Sequence, residues 1–292
     1  MSKGLLDPKV DFVFKNIFGS PNHPEILISF LNATLKAKKK IVNVDIKKTD
    51  IEKQYIEDKY SRLDVKATTS NDEIINIEIQ LKNENNMVKR SLYYLSKMYE
   101  EQLNEKEDYS KLVRTVCINI LNFKYLKTDN FHTGYRFKEI ESNEELTDIM
   151  EVHFIEIPKL QDSSDEKDML VAWTEFLKDP ESEKVRGLEL SIEEIRQAKD
   201  ELIRMSNDST QRELYDMRAN SLRDKMSELN AAERKGIEKG REEGREEGRK
   251  EGIEEGRKEE KIKIARNMKL SGLDTNTIAK ITNLSEDEID KL

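Results

Sequence analysis

The chain has 292 residues, of which 38% are charged, and its formal net charge is −9 at pH 7. No apolar run approaches the ~20 residues that a membrane-spanning helix needs, and the N-terminus lacks the apolar core of a signal peptide. The single cysteine, Cys117, excludes an internal disulfide. We therefore expect a cytoplasmic protein that does not engage a membrane. Residues 1–160 carry a net charge of only −1 and the remainder −8, so nucleic-acid binding by the first half is not excluded.

The first half of the sequence mixes helical and strand patterns. Apolar residues at helical spacing predict two short helices, one ending at Gly19 and one opened by Pro24. Further elements predicted here are a strand at 41–46, an amphipathic helix at 87–107, a strand buried on both faces at 112–123, and strands at 135–140 and 152–157. With the hairpin described next, they predict an α/β fold, a mixed sheet flanked by helices.

A predicted β-hairpin at 62–82 is the most informative part of the sequence. Strand alternation places Asp64 on one face of the first strand, and Glu78 and Gln80 on the same face of the second. Turn residues centre the hairpin on Asn71, which sets Asp64 directly across from Glu78. Opposed carboxylates have Cβ atoms roughly 5 Å apart and repel. A divalent cation between them would remove the repulsion, whereas plain solvent exposure of this face is the alternative explanation.

After residue 160 the strand patterns stop. An all-α extension is predicted over residues 161–235, in which Trp173 and Phe176 pack against the core. Glycines then recur at every fourth position from Gly236 to Gly256, separated by Glu, Arg and Lys. Each interior helical glycine costs roughly 0.5–1 kcal/mol relative to alanine, and each Glu–Arg pair returns only ~0.2–0.5 kcal/mol. Residues 236–260 are therefore expected to form a weak, solvated helix or linker.

The last segment, 261–292, has the pattern of three small helices in a helix-turn-helix-like arrangement. Gly272 can end the first helix, and Ser285 with Glu288 makes a capping-box pattern for the third. The expected core of the segment is Leu270, Leu273, Ile278, Ile281, Leu284 and Ile289. The candidate recognition helix has Lys280 as its single cation, so protein docking is as well supported as DNA reading. We also expect homo-oligomers formed through the C-terminal helices.

Several short motifs follow one another in a characteristic order. They are DFVFKNIFG at 11–19, LDV at 63–65, IEIQ at 77–80, Arg90 with Tyr93 and Tyr94, and IEIPK at 155–159. In this order the sequence resembles the recombination-promoting nuclease (Rpn) and putative transposase family of the PD-(D/E)xK nuclease superfamily. The resemblance covers about residues 5–160 well and the glycine-repeat tail loosely, so 1–160 is expected to be the nuclease-like core.

The resemblance implies a restriction-endonuclease-like core that cuts DNA with Mg²⁺, with Mn²⁺ or Ca²⁺ as the alternative ions. Carried over by position, Asp64 and Glu78 are metal ligands, the Ile79 carbonyl adds an oxygen, and Gln80 stands where most of the superfamily has a catalytic lysine. An amide can orient water but adds no charge. The residues expected to support catalysis are Asp11, Lys82, Arg90 and Tyr94. Helix-dipole stabilisation of Asp11, and ordinary i,i+4 packing of Arg90 with Tyr94, remain the alternatives.

The sequence thus predicts a metal-dependent DNA endonuclease linked to recombination or mobile elements. The main rival is a catalytically weak DNA-binding or oligomerising accessory protein that keeps the same fold. The third hypothesis is an acidic helical interaction protein whose sheet is only structural.

Overall fold

The computed structural model describes residues 4–36, 39–47, 65–165 and 167–292. The chain forms two compact units, Met1–Leu222 and Arg223–Leu292. The strands are β1 (Val44–Lys47), β2 (Val65–Thr69), β3 (Ile74–Gln80), β4 (Thr115–Leu121), β5 (His132–Lys138) and β6 (Glu145–Glu156). The helices are α1 (Asp11–Phe18), α2 (Pro24–Leu35), α3 (Met87–Glu100), α4 (Met169–Lys178), α5 (Glu183–Glu189), α6 (Glu193–Asn207), α7 (Ser209–Leu270), α8 (Thr275–Thr282) and α9 (Glu286–Asp290).

The strands of the first unit form one mixed sheet with the order β1-β2-β3-β4-β6-β5. The contacts of β4 with β3 and with β6 are parallel, and the remaining pairs are antiparallel. All seven residues of β4 are buried, which confirms the predicted strand buried on both faces. The predicted α/β fold, a mixed sheet flanked by helices, is therefore confirmed.

The β2–β3 hairpin has the predicted register. Val65 lies across from Ile77, and Ala67 from Ile75, which is the pairing of a hairpin centred on Asn71. Asp64 directly precedes Val65 in the chain but lies outside the described residues. Its predicted position opposite Glu78 therefore stays a prediction.

One face of the sheet packs against α1, α2, α4 and α6 in the main hydrophobic core. Trp173 of α4 is fully buried there, and its ring meets the edge of Phe18 at a centroid distance of 5.3 Å. Phe176 is buried in the same cluster, so the predicted packing of these two aromatic residues is confirmed. The helical extension thus shares its core with the sheet as far as α6.

The other face of the sheet is covered by α3. Met87 and Leu95 of this helix pack on an apolar patch of β4 and β6 that includes Cys117, Leu121 and Phe154. Because successive strand residues alternate between the faces, the even-numbered residues of β3 point to the α3 side.

The glycine repeat lies within a continuous α-helix, α7, which spans 62 residues. Its glycines are separated by Glu, Arg and Lys, which are good helix formers. Side chains of this repeat are exposed, in agreement with the predicted solvated helix. Among the described helices, none is both long and apolar enough to cross a bilayer.

The C-terminal helices enclose a small core of their own, made of Ala265, Ile278, Leu284 and Ile289. The Ser285–Glu288 capping box is present as predicted. Three predicted core residues are wrong, since Leu270 is 82%, Ile281 57% and Leu273 37% exposed. Leu270 follows the buried Ala265 by five residues and therefore lies about 140° around the helix, since each residue turns ~100°.

Candidate active site

β3 carries a row of polar side chains beneath α3. Asn76 is 0% and Glu78 1% exposed, and Gln80 at the end of the strand is half-buried. The isoleucines at 75, 77 and 79 fill the opposite face as part of the main core. Because a one-residue slip would exchange the two faces, the hydrophobic core holds Glu78 under α3.

Arg90, in the first turn of α3, is the counter-ion of Glu78. Its Nε lies 3.1 Å from Glu78 Oε2, and its guanidinium carbon lies 5.1 Å from the centre of the Tyr94 ring. The other carboxylate oxygen, Glu78 Oε1, is buried and has no hydrogen-bond partner among the described residues. The carboxylate therefore has one paired oxygen and one open oxygen.

Burial and Arg90 act on the carboxyl of Glu78 in opposite directions. Burial raises the pKa of Glu78 above its ordinary value, and the charge and hydrogen bond of Arg90, with a smaller contribution from the Asn76 side chain, offset only part of that rise. Burial also lowers the pKa of Arg90, but the attraction of Glu78 and Tyr94 outweighs it, so its pKa is raised. Arg90 thus stays charged, whereas ionisation of Glu78 in the folded protein costs free energy.

Asn119 lies beside Glu78 in the parallel β3–β4 ladder. Ser91 Oγ of α3 is 2.9 Å from Asn119 Oδ1, and Asn119 Nδ2 donates to the carbonyl of His153 at 3.1 Å. These contacts tie α3 to β4, and β4 to β6, next to the site. Sequence reasoning missed Asn119 and Ser91; the available signal was an asparagine inside the otherwise apolar β4.

Cys117 lies in the same buried layer and is a free thiol. Burial, and secondarily the negative charge of Glu78, raises its pKa to about 12. The thiol is therefore protonated at neutral pH and is not a nucleophile, because the thiolate is the reactive form. Cys117 therefore acts as a small buried hydrophobic residue of the sheet.

The other residues predicted at the site lie in different places. Ile79 is buried within β3, and Lys82 follows the end of that strand. Asp11 opens α1, which packs on the opposite face of the sheet, and its carboxylate lies 3.9 Å from Arg218 of α7. The structure thus brings Arg90 to Glu78 and Tyr94 to Arg90, but does not bring Asp11 there.

The open oxygen of this carboxylate is of the type that a hard divalent ion prefers as a ligand. Mg²⁺ prefers oxygen ligands, and both Glu78 Oε1 and Asn76 Oδ1 are buried oxygens without hydrogen-bond partners in the described part of the chain. Within the described ranges, no three His, Cys, Asp or Glu side chains gather into a metal site. The predicted second ligand, Asp64, lies outside these ranges, so the pair of carboxylates stays a prediction.

A buried ion pair anchors the loop at the carboxyl ends of the parallel strands. Glu156 ends β6 fully buried, and Lys159 Nζ lies 2.6 Å from its Oε2. Lys159 also donates to the carbonyls of Leu126 and Thr128 at 2.7 and 2.6 Å, while Glu156 Oε1 accepts the Leu126 N–H at 3.1 Å. This pair fixes the loop 122–131 against the sheet.

A second titratable cluster lies on the opposite face, at the β5–β6 pair. His153 Nε2 is 2.8 Å from Glu151 Oε1, and Glu151 also pairs with Arg114 and Arg136. Burial raises the pKa of Glu151, but the hydrogen bonds from His153 and Arg114 dominate and lower it to about 2. His132 contacts the other side of His153. No sequence motif predicts this cluster, because its members are separated along the chain.

Residues 8–232 match the family model of the PD-(D/E)XK nuclease family transposases. The chain belongs to this family. The PD-(D/E)XK match confirms the family resemblance and extends over α4–α6, which complete the core of the sheet. Residues 258–292 match the C-terminal helix-turn-helix domain of the Rpn/YhgA-like nuclease family, in agreement with the helix-turn-helix pattern at 261–292. No curated protein and no solved structure matched the chain.

Proposed function

We propose that this PD-(D/E)XK protein is a metal-dependent DNA endonuclease that hydrolyses phosphodiester bonds during recombination or the movement of mobile elements. The observation that carries the proposal is Glu78, a buried carboxylate with an open oxygen in a chain of a nuclease family. A buried carboxylate costs free energy unless a positive partner compensates it, and Arg90 compensates Glu78 only in part. Its retention under α3 is therefore easier to explain by a function than by stability.

In this proposal Asp64, Glu78 and the Ile79 carbonyl hold the ion, which is Mg²⁺ or, alternatively, Mn²⁺ or Ca²⁺. Such an ion would acidify a bound water and neutralise charge on the phosphate. Gln80 accepts or donates a hydrogen bond to position the water. Lys82 supplies the positive charge that an amide at position 80 lacks, and the contacts of Asn119 with Ser91 keep α3 in place above Glu78.

We further propose that the helix-turn-helix domain contributes to DNA binding and that the C-terminal helices mediate homo-oligomerisation. The support for DNA binding is the domain match at 258–292, whereas oligomerisation is an expectation from the sequence. Deletion after Glu233 is expected to change the mass in solution more than the intrinsic cleavage rate. An unchanged mass, measured by light scattering, would argue against this role of the tail. A cytoplasmic location remains the expectation from the sequence.

The test is cleavage of supercoiled plasmid by purified protein in Mg²⁺ or Mn²⁺. We expect cleavage that EDTA, Asp64→Ala and Glu78→Ala each abolish. Asp72→Asn is the matched control: it removes a carboxylate from the exposed turn of the same hairpin, and asparagine tolerates the positive φ of 61° found there. If Glu78→Ala cuts as fast as wild type, the proposed site is wrong.

A second candidate is a DNA-binding accessory protein that does not cut. It is favoured by glutamine at position 80 and by the ion pair that already compensates Glu78. Gel shifts of DNA without cleavage in either metal would support this candidate.

A further inference from the structure

The ion pair of Glu78 and Arg90 places a protein cation on the carboxylate of the proposed metal site. The Glu78 side chain is 1% exposed, whereas Arg90 is 21% exposed. Arg90 thus extends from the solvent-exposed edge of α3 into the buried layer. Its side chain can turn towards solvent, whereas the carboxylate of Glu78 is enclosed. A long side chain can make such a move without disturbing the helix that carries it.

Two cations on one carboxylate compete. Like charges a few ångströms apart repel strongly where water is excluded, so a divalent ion on Glu78 weakens the hold of that carboxylate on Arg90. Tyr94 offers the guanidinium a second contact, since its ring already lies 5.1 Å away and a cation is attracted to an aromatic face. Arg90 can therefore leave Glu78 and stay at the site.

We propose that Arg90 is a displaceable counter-ion: it occupies Glu78 in the metal-free protein, competes with the divalent ion for that carboxylate, and on displacement becomes free to pair with a phosphate of the nucleic acid. This inference rests on the proposed function and adds a regulation of the same site. Arginine suits the second task, because its planar guanidinium binds phosphate oxygens through two parallel hydrogen bonds. Metal and DNA backbone should consequently strengthen each other's binding.

The test is Mn²⁺ binding to the full chain, followed by electron paramagnetic resonance of the free ion. Arg90→Gln is expected to bind Mn²⁺ about three- to tenfold more tightly than wild type. Wild type must break one partly buried ion pair to bind the metal, and the free energy of such a pair corresponds to this change in affinity. Lys89→Gln is the matched control, since it removes the same charge from the same turn of α3 at an exposed position. It should leave the affinity within about twofold, because exposed charges are well screened.

The outcomes separate this inference from the proposed function. Equal or weaker Mn²⁺ binding by Arg90→Gln would overturn the competition while leaving a metal site in place. No Mn²⁺ binding by wild type or by Arg90→Gln would overturn the proposed function as well. Tighter binding by Arg90→Gln, lost again when Glu78→Gln is added, supports both.

A measurement on unmutated Arg90 covers the case in which Arg90→Gln does not fold. In wild type, the Nε–H of Arg90 is expected to shift and lose its protection from exchange as Mg²⁺ is added, as followed by NMR of arginine side chains. A duplex oligonucleotide added next should restore the protection. An Nε–H signal that does not change at saturating Mg²⁺ would contradict the displacement of Arg90 from Glu78.

Discussion

His132 Nε2 lies 2.9 Å from His153 Nδ1, and the two imidazoles stack with their centroids 5.1 Å apart. Gly134 makes the stack possible, since a Cβ at this position would come within 3.0 Å of the His153 ring. The ionised Glu151 accepts the Nε2 hydrogen of His153, which leaves His153 Nδ1 to accept from His132. A hydrogen bond between two imidazole nitrogens needs one acceptor, so the two rings cannot both carry two N–H groups.

This stack predicts a loss of stability in mild acid. Burial, the neighbouring His153 and Lys36 lower the pKa of His132 from 6.5 to about 4. Between pH 6.5 and 4 the unfolded state takes up a proton on His132 more readily than the folded state does. The stability that His132 contributes is therefore complete above pH 6.5, its unfolded pKa, and is lost as the pH falls towards 4. We expect His132→Gln to flatten the stability profile across that window by about 1–3 kcal/mol. Chemical denaturation at half-unit pH steps would measure it, and parallel profiles would disprove the assignment.

Glu78→Gln is expected to stabilise the protein at neutral pH while abolishing cleavage. The raised pKa of Glu78 means that the folded state binds its proton more tightly than the unfolded state, so ionisation lowers stability as the pH rises above the unfolded value near 4.5. The variant should therefore be more stable than wild type at pH 8 and almost as stable as wild type at pH 4. Thermal melts at both values, with Asp72→Asn alongside, would measure this; a lower melting temperature at pH 8 would contradict it.

Two glycines of the C-terminal half should respond to alanine in opposite directions. A Cβ at Gly244 in α7 meets nothing within 4 Å, whereas Gly272 has a φ of +83°. Gly244→Ala is expected to stabilise α7 locally by about 0.5–1 kcal/mol, and Gly272→Ala to destabilise the small C-terminal core by about 1 kcal/mol. Hydrogen exchange over 236–256 and 262–292 would resolve the two effects. The same sign for both variants would show that backbone conformation is not their cause.

Lys159→Met should destabilise the first unit by about 3–5 kcal/mol, since it leaves the buried Glu156 without its counter-ion. The double variant with Glu156→Gln removes the uncompensated charge. It should lose less than the sum of the two single changes. Urea unfolding of the four proteins of this cycle would measure the coupling, and simple additivity would argue against the pair.

The sequence by itself determined the local features of this protein. Strand alternation around the turn at Asn71 gave the register of Val65 with Ile77, and the spacing of Ser285 and Glu288 gave the capping box. Such features depend on residues a few positions apart, whose geometry is fixed by the backbone of the element itself. The order of the short motifs was likewise sufficient to indicate the family.

Only the tertiary structure decided what surrounds each of those residues. In the folded chain α3 covers Glu78, and Arg90 pairs with its carboxylate. His132 stacks on His153, and Leu270 is exposed to solvent. The physical reason is that periodicity fixes the face on which a side chain lies, but not the distant segment that covers that face. Which charges meet, and how far water is excluded from them, follows from the packing of whole elements.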